Sequence, residues 1–174
     1  QDLRKISRVE DSEYYQVALE VNNSEHILKS SMFYISALIK NKDFEMALEL
    51  IQEMRLLSEK EKLNYYLAKS YLLEGRILQY NNQVKNTLIS YLHAVDISER
   101  TFNDTLLFEC YESLSWLYHD YNLFAKSHDY RSLQKNIALN LSDSDAFAWA
   151  CYYDLELYNA AGQGQPMDSL ELTF

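Results

Sequence analysis

Tyr71-Leu72-Leu73-Glu74-Gly75-Arg76-Ile77-Leu78-Gln79-Tyr80-Asn81-Asn82-Gln83-Val84 has a counterpart 40 residues later: Tyr111-Glu112-Ser113-Leu114-Ser115-Trp116-Leu117-Tyr118-His119-Asp120-Tyr121-Asn122-Leu123-Phe124. Tyr71 and Tyr111, Gly75 and Ser115, Leu78 and Tyr118, Val84 and Phe124 fall in register. The same offset reaches backwards, where Leu38 answers Leu78 and Phe44 answers Val84. It also links Ala47, Thr87 and Ser127. The join between units recurs too, as Leu57-Ser58-Glu59-Lys60 and Ile97-Ser98-Glu99-Arg100. A fixed period in the range of roughly 20–50 residues marks stacked supersecondary units rather than one globular core.

Composition selects the kind of unit. The 174 residues are 48% hydrophobic and 24% charged, which suits a folded chain of one domain. Only three Gly and one Pro occur, and Gly162, Gly164 and Pro166 crowd the C-terminal end. Gly75 is left as the one breaker in the body, too few for the turns of a sheet protein, so the chain is read as all-α. A net charge of −10 without any basic run argues against direct contact with nucleic acid or an anionic membrane surface. No apolar run approaches the ~18 residues of a spanning helix, and no signal peptide is visible. Cys110 and Cys151 fall among apolar neighbours and read as two reduced thiols, which places the chain in a reducing, cytoplasmic setting.

Caps and apolar spacing predict the helices. Asn22-Asn23-Ser24 opens a helix to about residue 41, and Lys42-Asp43 turns into its return partner. Ser58 with Glu61 has the form of a capping box, predicted to open a helix ending near Tyr80. Asn81-Asn82 turns into a helix over about 83–98. Asn103-Asp104 caps a third pair, about 105–120 and 123–138. Ser142-Asp143-Ser144-Asp145 caps a last helix that Gly162 ends, with Ala146, Ala150, Tyr153, Leu157 and Ala160 along one stripe. The predicted organisation is one domain over 1–174. It comprises the second helix of a partial repeat (12–23), repeats over 24–57, 58–100 and 101–140, a half-repeat or cap (141–163) and a tail (164–174). The two halves suggest a segment of a longer array, its start at Gln1 implying an upstream portion.

The repeated hairpin resembles the tetratricopeptide repeat family, whose first helix carries a large residue, then Leu-Gly, then Tyr, followed by small residues in the second helix. Tyr111, Leu114, Ser115 and Tyr118 follow that pattern with Ser for Gly. Tyr71, Gly75 and Leu78 follow it with Glu74 in place of Leu. In the second helices Phe44 and Ala47, then Val84, Tyr91 and Ala94, then Phe124 and Ser127 match, while Thr87 replaces Ala and Arg131 stands where an aromatic is usual. The period of 40 against the family's usual 34 implies extra helical turns or longer joins. The resemblance implies a right-handed superhelical solenoid of antiparallel helix pairs that binds along its concave face. That face would offer Lys69, Leu72, Leu73, Arg76 and Tyr80 from one unit, and Glu109, Glu112, Ser113, Trp116 and His119 from the next. Members that clamp the acidic C-terminus of a chaperone need Lys and Arg where Glu109 and Ser113 stand, so that function is not expected.

Chemistry is sparse. His119-Asp120-Tyr121 recurs as His128-Asp129-Tyr130, but a metal site needs three or four converging ligands. No phosphate loop, nucleophile elbow or paired-carboxylate motif is present, so no catalysis, metal or cofactor is expected. The fifteen tyrosines include Tyr14-Tyr15, Tyr65-Tyr66 and Tyr152-Tyr153, in which one ring is expected to pack and the other to lie near the surface. Three functions follow as expectations. The first is a scaffold or regulatory module that binds a protein or peptide. The second is a ligand-sensing domain of a larger bacterial signalling or transcription protein. The third is an oligomerisation module that self-associates through the open ends of the array.

Overall fold

A computed structural model describes the backbone of residues 3–162 and the side chains of residues 11–155. Among the described residues all regular structure is α-helical. The helices are α1 (Leu3–Val21), α2 (Ser24–Asn41), α3 (Phe44–Lys60), α4 (Asn64–Tyr80), α5 (Val84–Arg100), α6 (Asp104–Asp120), α7 (Phe124–Asn140) and α8 (Ser144–Gly162). The chain is an all-α helical repeat. The predicted tail beyond Gly162 lies outside the described residues.

The reason for the long period is now visible. Helices α2 to α7 are 17 or 18 residues long, and short links of two or three residues join them. The extra length therefore lies in the helices. A left-handed residue closes each turn, at Asn22, Lys42, Lys62, Asn82, Phe102, Asn122 and Ser142, with φ between 52° and 64°. These positions recur every 20 residues, so the 40-residue repeat is two equal helix-and-turn steps. After the left-handed residue at Lys42, Lys62, Asn82, Phe102, Asn122 and Ser142 the next N–H reaches back to a carbonyl of the last helical turn, as Asp43 does to Leu38 at 2.9 Å and Leu123 to Tyr118 at 2.9 Å. That pairing satisfies carbonyls that would otherwise end the helix unpaired.

Several caps are as predicted. The Asn23 side chain accepts from the His26 N–H at 3.0 Å, Asn103 from Leu106 at 2.9 Å and Asp143 from Ala146 at 2.9 Å. The Ser58–Glu61 capping box is not formed. Ser58 is buried inside α3 and its hydroxyl donates to the Met54 carbonyl at 2.6 Å, so α3 continues to Lys60 and α4 begins only at Asn64. A serine that can bond its own helix one turn back has no need to cap the next one.

By contact the chain divides into two compact units, Gln1–Ser90 and Tyr91–Phe174. In the first, α1 packs on α2, α2 on α3 and α3 on α4, and α2 also touches α4. Its core includes Leu28, Ile35, Leu38, Ile51, Met54 and Ile77, all at most 2% exposed. In the second, α6 packs on α7 and α7 on α8. The α6–α7 crossing is close because Ser115 and Ser127 meet there: the Ser127 hydroxyl donates to the Ser115 carbonyl at 2.8 Å, and the Ser115 hydroxyl to the Ser127 carbonyl at 3.1 Å. These are the small-residue positions of the repeat. Among the described residues no helix is long and apolar enough to cross a membrane.

Candidate functional site

In the first unit the departure from the repeat pattern at Glu74 has a local cause. Its carboxylate takes the Arg55 guanidinium at 3.1 Å and the Ser90 hydroxyl at 2.9 Å. Arg55 lies over the Tyr71 ring, 4.0 Å from its centroid. This polar cluster ties α3 to α4 where a leucine would only pack. On the α4 surface Arg76 is exposed, Lys69 lies over the Tyr65 ring at 5.6 Å, and Tyr80 is exposed while stacking on Phe44 at 5.5 Å. Leu72 and Leu73, assigned to the binding face from sequence, are 1% and 3% exposed. Both are buried, Leu73 in the core of the first unit, and leave almost no surface for a partner.

The second unit gathers more. Glu109, Glu112, Trp116 and His119 of α6 are all half-buried, and Ser113 is buried. The Trp116 ring meets His119 edge-on at 5.5 Å and Tyr153 of α8 at 4.9 Å. Beside them Arg131 of α7 is fully buried. Its guanidinium lies 5.4 Å from the Trp116 ring and 5.3 Å from the Tyr153 ring, and one Nη donates to the side-chain amide oxygen Oε1 of Gln134 at 2.6 Å. Burial pulls the Arg131 guanidinium below its ordinary value, opposed by the charges of Glu112 and Asp154. Among the described residues its Nε–H has no hydrogen-bond partner. Arginine thus fills the space of the expected aromatic by lying between two rings. A pocket of about 240 Å³ opens at this point, lined by Phe108 and Glu112 of α6, Arg131 and Gln134 of α7, and Trp149 and Tyr153 of α8 among others.

A second polar cluster holds α8 to α7. The buried Asp154 carboxylate receives Lys135 Nζ at 2.5 Å and lies 2.5 Å from His128 Nδ1. Burial alone would raise the Asp154 carboxyl, but the bonds from Lys135 and His128 outweigh it and hold the group below the usual carboxylate range. His128 therefore serves a helix contact, and among the described residues no three His, Cys, Asp or Glu side chains converge on a metal position.

Arg131, Asp154 and the α8 rings were not assigned to the binding face from sequence. A signal existed for the rings: Trp149, Tyr152 and Tyr153 stand 40 residues after Glu109, Glu112 and Ser113, so the predicted face continues onto α8. The tyrosine pairs divide as expected, Tyr14 at 73% against Tyr15 at 8% and Tyr65 at 37% against Tyr66 at 8%. Comparison with known proteins finds no matching family model and no matching curated protein.

Proposed function

We propose that this chain is a non-catalytic, cytoplasmic module of the tetratricopeptide type, a right-handed array whose first-helix faces bind a peptide or protein segment and so serve scaffolding or regulation. The observation that carries this reading is the pocket on α6, α7 and α8. Glu112 from one first helix and Trp149 and Tyr153 from the next meet there with Gln134 of α7, offering acid, aromatic and amide groups in one concavity. Panning a random peptide library on the chain is expected to enrich a related set of sequences. Hydroxyl-radical footprinting with an enriched peptide is then expected to protect Trp149 and Tyr153 of the pocket. Absence of any enriched set, or protection confined to α3, α5 and α7, overturns the reading.

Self-association is a second reading with its own observation. A groove of about 500 Å³ between α1 and α2 exposes Tyr14, Val17, Val21 and Phe33. Apolar area of this kind on a single face favours a protein contact. Sedimentation should then show dimers that Val17→Lys abolishes; a monomer at every concentration removes this reading.

A further inference from the structure

We infer that the exposed aromatic face of α8 is a docking site for a basic segment of a partner protein, seating a lysine or arginine side chain on the Trp149–Tyr152–Tyr153 cluster. This names the partner chemistry of the first-helix face and rests on the reading of the chain as a peptide-binding module.

Three rings meet on one side of α8. Trp149 and Tyr152 are edge to face at 6.1 Å, Trp149 and Tyr153 stack at 6.0 Å, and Tyr152 and Tyr153 lie 5.4 Å apart. Trp149 is 60% exposed and Tyr152 51%. The small side chain of Ala148 leaves a depression of about 590 Å³ among them, and Asp145, one turn before Trp149, closes it with an exposed carboxylate. Ring faces are electron-rich and hold a cation, and a neighbouring carboxylate strengthens the hold.

Charge says what comes to this face. Tyr91–Phe174 carries thirteen Asp and Glu against four Lys and Arg, whereas Gln1–Ser90 carries thirteen against twelve. Nearly all of the net −10 thus belongs to the unit that bears the rings. Its four cations are all engaged: Arg100 pairs with Asp96, Lys126 lies over the Tyr118 ring, Arg131 is buried, and Lys135 holds Asp154. The sequence after Leu155 contains Glu156, Asp168 and Glu171 and no Lys or Arg, so it supplies no cation for the cluster. Of the three rings Tyr153 already has the buried Arg131 beside it; the exposed rings of Trp149 and Tyr152, in an acidic unit whose cations are engaged elsewhere, fit a basic, partly apolar peptide, which the field of the unit also steers to the site.

The probe is a pair of labelled synthetic peptides, alike except that one carries Lys and Arg where the other carries Glu. With the full chain, the basic peptide is expected to bind, more weakly as salt rises, and the acidic twin to show no binding. Trp149→Ala/Tyr152→Ala should weaken binding roughly tenfold, with helicity unchanged because both side chains are largely exposed. Asp145→Asn should weaken it about threefold. Equal binding of the twins, or full affinity in the double variant, overturns the inference. So does a loss of affinity that proves to be a change in self-association, since a second copy would then own the face. If panning yields only acidic or neutral binders, the inference falls while the peptide-binding reading stands; if no peptide of any charge binds, that reading falls with it.

Discussion

At the scale of single residues, Lys42, Lys62, Phe102 and Ser142 take the left-handed conformation without being Gly or Asn, and the bulky Phe102 suits it least. Asparagine, as at positions Asn22, Asn82 and Asn122, tolerates this conformation because its short side chain is able to bond locally, but Phe102 occupies it with an aromatic residue 91% exposed. Phe102→Asn should therefore raise stability by about 0.5 kcal/mol, read as an increase in thermal midpoint; a decrease would mean that the ring contributes a contact. Arg131 has the opposite character, deeply buried and only partly satisfied. Gln134→Leu should cost about 1–3 kcal/mol by leaving a second donor of the guanidinium unmatched. Adding Arg131→Met should recover most of that loss, because a buried apolar side chain needs no partner. Urea unfolding of the single and double variants tests the coupling. The position of Arg131 in the repeat could be read in advance; its burial could not. A lone arginine on a helix reads as solvated until α6 and α8 are placed on either side of it.

At the scale of elements, α8 depends on an acid-sensitive fastening. The Asp154 carboxyl is held below its ordinary value in the folded state, so the unfolded chain binds the proton more readily and acid favours release. The stabilisation is fully present above the ordinary carboxylate pKa of about 4 and is lost as pH falls through the lower folded value. Hydrogen exchange should show α8 amides losing protection over that acid range before those of α2. Asp154→Asn should weaken α8 at neutral pH by about 1–2 kcal/mol and flatten the acid response; an unaltered response would place the acid-labile group elsewhere. Helix ends divide by what the sequence can display. Asn23, Asn103 and Asp143 cap with their side chains and were legible. The ends at Lys62 and Phe102 rest on backbone bonds behind a left-handed residue that is not glycine, which leaves no mark in composition. Ser58 misled because the same hydroxyl serves equally well inside a helix.

At the scale of the whole molecule, charge rather than contact is the unevenly distributed quantity. Crowding thirteen acids against four bases into one half raises self-repulsion there, and added salt screens it over roughly 10 Å at 0.1 M. The thermal midpoint is expected to rise with salt up to a few tenths molar. A fall would show that pairs such as Arg55–Glu74 and Lys135–Asp154 outweigh the repulsion. The constant pitch of the turns bears on a different matter, that of descent. Because a left-handed residue returns every 20 positions, any window of forty codons, wherever it begins, starts and stops at equivalent points of the structure. A duplication or deletion in the gene therefore needs no particular breakpoint to give a chain whose hairpins still close. An array of this kind can grow or shrink by unequal crossing-over in a single event, with every new junction already of a tested form.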